Sequence, residues 1–96
     1  MSDPSAPRWR RVPDLLWRRS LDAVLVLAPD ADEPLTLAGT GPEVWELLAS
    51  PVSLGDLVAG LAARHGADPV IVEADVTALL GRLTALGVLE RAPLAH

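Results

Sequence analysis

Apolar positions come in short alternating bursts over the first third of the chain and at helical spacing over the rest. Leu15-Leu16-Trp17-Arg18-Arg19, the polar turn Ser20-Leu21-Asp22 and the run Ala23–Leu27 predict a β-hairpin. Ala28–Glu33, with Pro29 and three acids, predicts a loop. Pro34-Leu35-Thr36-Leu37 then alternates, which predicts a third short strand with Leu35 and Leu37 on one face. Pro34 donates no backbone hydrogen bond, so that strand is expected at a sheet edge.

At Thr40 the period changes. Thr40-Gly41-Pro42-Glu43 reads as a capping box opening a helix through Val44, Leu47 and Leu48, stopped by Ser50-Pro51. Ser53 with Asp56 opens a second, with Leu54, Leu57, Val58, Leu61 and Ala62 as its buried stripe and His65-Gly66 at its end. Asp68-Pro69 opens a third, whose stripe is Val72, Val76, Leu79, Leu83 and Leu86, widened by Leu80 and ended by Gly87. Val88-Leu89-Glu90 is expected to return as a short strand. The fold class is therefore α+β and winged helix-turn-helix-like, an N-terminal three-stranded antiparallel sheet packed on three helices. Residues 1–11, broken by Pro and Ser and without periodicity, read as a flexible N-terminal arm, 12–90 as the domain and 91–96 as a disordered tail.

Composition narrows the function classes. At 96 residues there is room for one domain. No apolar run approaches the length of a membrane span, and MSDPSAPRWRR lacks the apolar core of a signal peptide, so a cytoplasmic protein is expected. Cysteine is absent, which removes disulfides, thiolate catalysis and Cys-based metal sites. Every basic residue is Arg. Five of the eight lie in the first 19 positions against Asp3 and Asp14, a local +3, so the net charge of −5 leaves −8 on residues 20–96. A body this acidic repels phosphates.

No constellation of an enzyme is present. His65 sits in a helix's last turn, where it favours the terminal carbonyls, and His96 is the last residue. Asp30, Asp32 and Glu33 lack the Gly and the bidentate Glu of a calcium loop and read as a solvated turn. Gly39 and Gly41 have no Lys or downstream Gly to complete a phosphate loop. The expectation is no catalytic residue, no metal and no cofactor. Trp45 and Trp17 are expected in the core, and Trp9 either packs back on the sheet or belongs to an interface. Thr36 stands in an uncharged strand, whose edge either is protected by Pro34 and the strand's shortness alone or is left open for another strand to add.

Leu35 through Leu48 resembles the strand-to-first-helix segment of the PqqD-like family, with its aliphatic-Trp pair at Val44-Trp45 and its Leu-Leu pair at Leu47-Leu48. Ser53-Leu54 through Leu57-Val58 and Leu61 is similar to the family's second helix, and Val72 through Asp75-Val76, Leu79-Leu80, Leu83 and Gly87-Val88-Leu89 to its third. The family's Asn after the strand Leu is Ala38 here, so the cap of the first helix falls to Thr40. The resemblance covers residues 12–90 and implies a RiPP recognition element: a non-catalytic module that binds the leader of a ribosomally made precursor peptide. It presents that leader to a modifying enzyme such as a radical SAM protein, a peptidase or a cyclase. Carried over residue by residue, it implies peptide contacts at Leu35, Thr36, Leu37, Asp75, Val76, Leu79 and Arg82.

The alternative is a winged-helix DNA-binding protein, but the third helix offers Asp68, Glu73 and Asp75 against Arg82 alone, so no nucleic-acid partner is expected. A carrier domain would need an Asp before Ser53-Leu54, where Val52 stands. No membrane partner is expected, and an open edge leaves a homodimer within the reading.

Overall fold

A computed structural model describes residues 6–92. In chain order it holds β1 (Arg8–Arg11), β2 (Leu16–Ser20), β3 (Ala23–Leu27), β4 (Leu35–Leu37), α1 (Gly41–Leu47), β5 (Val52–Ser53), α2 (Leu54–His65), α3 (Pro69–Ala85) and β6 (Leu89–Arg91). These form two three-stranded antiparallel sheets and three helices, the α+β class the pattern predicts.

The first sheet has the order β2-β3-β4. β2 and β3 pair from Leu16↔Leu27 to Ser20↔Ala23, so Leu21 and Asp22 alone make the turn. Such a tight hairpin calls for a positive φ, and Leu21 supplies it at 54° while standing 94% exposed. β4 pairs with β3 through Val24↔Leu37, Leu25↔Thr36 and Val26↔Leu35, which makes it an edge strand as expected. Val24, Val26 and Leu37 are buried toward the helices and Leu35 is half-buried against the same core. Trp17 departs from expectation: it is 41% exposed and meets the buried Trp45 edge-on, with centroids 5.9 Å apart at 72°.

The second sheet, β5-β1-β6, corrects the expected arm. Arg8–Arg11 is a strand, paired to β5 through Arg8↔Ser53 and Trp9↔Val52 and to β6 through Trp9↔Arg91, Arg10↔Glu90 and Arg11↔Leu89. Nothing periodic marks this segment, because tertiary partners hold it. The Arg10 guanidinium reaches the Glu90 carboxylate at 2.7 Å, and Arg91 lies 5.6 Å over the Trp9 ring. Trp9 thus packs back on the domain. Arg11 sits over both Trp17 and Trp45, 4.7 and 4.8 Å from their centroids, and its Nε donates to the Trp45 carbonyl at 2.9 Å. Burial pushes its pKa down, from a value so high that the charge stays in place. The expected tail is corrected too. Arg91 closes β6, and the Ala92 N–H donates to the Arg8 carbonyl at 2.8 Å. Residues 1–5 of the arm and 93–96 of the tail lie outside the described residues.

The helices begin and end largely where their signals stand. The Ser53 hydroxyl accepts the Asp56 N–H at 3.1 Å, and the Asp68 carboxylate accepts the Val70 N–H at 2.9 Å. Gly66 closes α2 in the left-handed region, φ 59°. The capping box at Thr40 is not made: its hydroxyl forms no cap hydrogen bond, because its backbone is already helical at φ −83°, ψ −7°. An N-cap side chain needs extended backbone to reach over the first turn. On α3 the buried side chains are Val76, Leu80 and Leu83, while Leu86 is 44% exposed. His65 stands in the last turn of α2 as expected, and its Nε2 lies 2.8 Å from the Glu43 carboxylate on α1. The core runs between the first sheet and the helices, with Trp45, Leu48, Leu57 and Leu83 among its fully buried side chains.

Candidate functional site

β4 has one partner strand, so the backbone N–H and C=O groups on its other side have no partner within its sheet. The strand is short because the chain turns at once into α1. Gly39 takes φ 64°, and the Gly41 N–H donates to the Ala38 carbonyl at 3.0 Å. Gly41 is needed for a second reason: a Cβ there would stand 3.0 Å from the Leu37 Cβ. The absence of a side chain lets the N-terminus of α1 close up against the last residue of β4.

Across from this corner, α3 carries Asp75, Leu79 and Arg82 at spacings of four and three, which puts them on one helix face. Between Thr36, Leu37, Thr40 and Gly41 on one wall and these three on the other lies a depression of about 290 Å³. Five of the seven expected contact residues, Thr36, Leu37, Asp75, Leu79 and Arg82, therefore line one groove. Leu35 and Val76 do not. Leu35 packs against the core, leaving its backbone at the strand edge, and Val76, only 4% exposed, is turned into the helix–sheet seam. Ala38, Thr40 and Gly41 also line the groove and lie outside the expected contact residues. The Gly-Pro at the helix start, directly after a strand, was the available signal.

The groove is mostly polar. Thr36 and Thr40 present hydroxyls, and Leu79, half-buried, is the largest apolar side chain on its helix wall. Asp75 and Arg82 form no ion pair or side-chain hydrogen bond among the described residues. Such an arrangement offers a strand edge, an apolar seat and two opposite charges, which is chemistry for holding an extended peptide. Among the described residues no three His, Asp or Glu side chains gather as a metal site. No helix among the described residues is long and apolar enough to cross a membrane.

A family model described as coenzyme PQQ synthesis protein D (PqqD) matches residues 23–89, from the start of β3 into β6, and so includes both walls of the groove. No curated protein and no solved structure matches the chain.

Proposed function

The chain belongs to the PqqD family, a family of RiPP recognition elements, and from that premise we propose that it binds the leader of a ribosomally synthesised precursor peptide by strand addition to β4. The observation that carries the proposal is the open edge of β4 beside the groove walled by Asp75, Leu79 and Arg82. Ladder hydrogen bonds from β4 hold the peptide with little regard for its sequence, and side chains in the groove add selectivity. A single added strand buries less than a standard interface of roughly 1,200–2,000 Å², which favours affinity of about micromolar. That suits a module which hands its peptide on. The winged helix-turn-helix likeness, presentation to a modifying enzyme of the radical SAM, peptidase or cyclase type, action without catalysis or cofactor of its own, and a place in the cytoplasm belong to the same reading.

DNA binding fits less well. Of the basic residues, Arg10 and Arg19 are engaged by Glu90 and Glu46, and Arg11 lies over two indoles, while α3 offers Arg82 beside Glu73 and Asp75. A phosphate backbone needs free cations in a row.

Leu79→Glu tests the proposal by setting a charge in the groove from a half-buried position. Calorimetric binding of synthetic leader segments from candidate precursor peptides is expected to fall at least about tenfold, roughly 1.4 kcal/mol, while the helical circular dichroism is kept. Undiminished binding by a folded Leu79→Glu protein would overturn it.

A further inference from the structure

We infer that the groove reads a charge order along the bound peptide: a basic side chain toward Asp75, an acidic one toward Arg82, and apolar side chains between and beyond them. This rests on the reading of β4 as the edge to which a peptide adds. β4 spans three residues, whereas α3 spans 17, so the helix offers a longer wall than the strand. At 3.6 residues per turn, Ile71, Asp75, Leu79, Arg82 and Leu86 share one stripe, the stripe that carries the three groove residues. Ile71 is 62% exposed and Leu86 44%, so a large uncovered apolar side chain stands at each end. The stripe therefore runs apolar, acid, apolar, base, apolar.

The two charges have no side-chain partner among the described residues, whereas three Arg–Glu pairs hold charges elsewhere in the fold. Arg10 is held by Glu90, Arg19 by Glu46, and Arg64 by Glu43. The facing wall is uncharged, with Thr36, Thr40 and Gly41, so the helix alone sets the order of charge. From Asp75 to Arg82 the helix rises about 10 Å at ~1.5 Å per residue, a length that an extended chain covers in about three residues at ~3.3 Å each. Side chains on one strand face lie two or four apart, so complementary charges at either spacing reach both groups. The whole stripe, about 22 Å long by the same rise, matches about seven extended residues. A second copy of the chain does not fit this pattern through the same sheet. β4 carries no charge, and β2, Leu-Trp-Arg-Arg-Ser, has no acid for Arg82. The occupant is an extended peptide of mixed charge with apolar flanks.

The test uses an array of designed Thr- and Val-rich peptides, each with one Lys and one Glu two or four residues apart so that both lie on one strand face, in either order, with apolar residues beyond them. The array is probed with the wild-type protein and with the Asp75→Arg/Arg82→Asp double variant. Both positions are exposed, and unchanged circular dichroism verifies the fold. The wild type is expected to prefer one order by about three- to tenfold, as two solvent-exposed ion pairs allow, and the double variant to prefer the other. Added salt shrinks both preferences. Equal binding of both orders, or the same preference in both proteins, overturns the charge order and leaves strand addition standing. Binding of no peptide by either protein overturns strand addition itself, and the charge order falls with it.

Discussion

Gly41 and Arg11 act at two close approaches that the fold depends on. The Cβ of a Gly41→Ala side chain would meet the Leu37 Cβ at 3.0 Å, and that atom is fixed by its own backbone. Either β4 or the start of α1 must shift, at a cost of about 1–3 kcal/mol. Urea unfolding is expected to show that loss, together with weaker leader binding, because the displaced atoms floor the groove. Arg11→Met removes the guanidinium from over two indoles and from the Trp45 carbonyl. The expected loss is about 1–2 kcal/mol, read by chemical denaturation. It should not vary across neutral pH, because burial lowers the Arg11 pKa from a starting point far above that range. Sequence inspection had no means of finding this cluster, since Arg11 lies 34 residues from Trp45.

Among the elements, the helix starts separate signals that were realised from one that was not. Ser53 accepts the Asp56 N–H, whereas Thr40 caps nothing with its side chain. Ser53→Ala is therefore expected to cost about 1 kcal/mol and Thr40→Ala less than about 0.5, compared by thermal unfolding. A Thr40 capping box would reverse that order. Along α3 the same logic contrasts Leu83, fully buried, with Leu86, which the periodicity placed on the same stripe but which is exposed past the last turn. Leu83→Ala should cost about 2–5 kcal/mol, and Leu86→Ala no more than about 0.5.

At the scale of the whole molecule, the elements that announce themselves are those whose own residues repeat. β3, β4 and the three helices carry alternation, Pro and Gly stops or capping signals, and each forms close to its expected span. β1 carries none of these. Arg-Trp-Arg-Arg becomes a strand because β5 and β6, more than 40 residues on, supply its hydrogen bonds and Glu90 its counter-ion. Non-local pairing of that kind leaves no local trace. The groove was legible only in part. Periodicity alone sends Val76 into the core, where it lies; Thr36 stands out through its uncharged edge strand, and Asp75, Leu79 and Arg82 are reached as groove residues only through the family resemblance. What brings them opposite one another is the corner at Gly39–Gly41, a tertiary feature.

The central claim is that a peptide adds to the free edge of β4. Amide hydrogen exchange of the labelled protein by NMR, with and without a saturating synthetic leader segment that binds, tests it most directly. The account predicts slower exchange at the β4 amides that face away from β3, by at least about tenfold, with accompanying shifts at Asp75, Leu79 and Arg82. Protection that appears instead along the outer edge of β2 or on α2, with β4 unchanged, would contradict it.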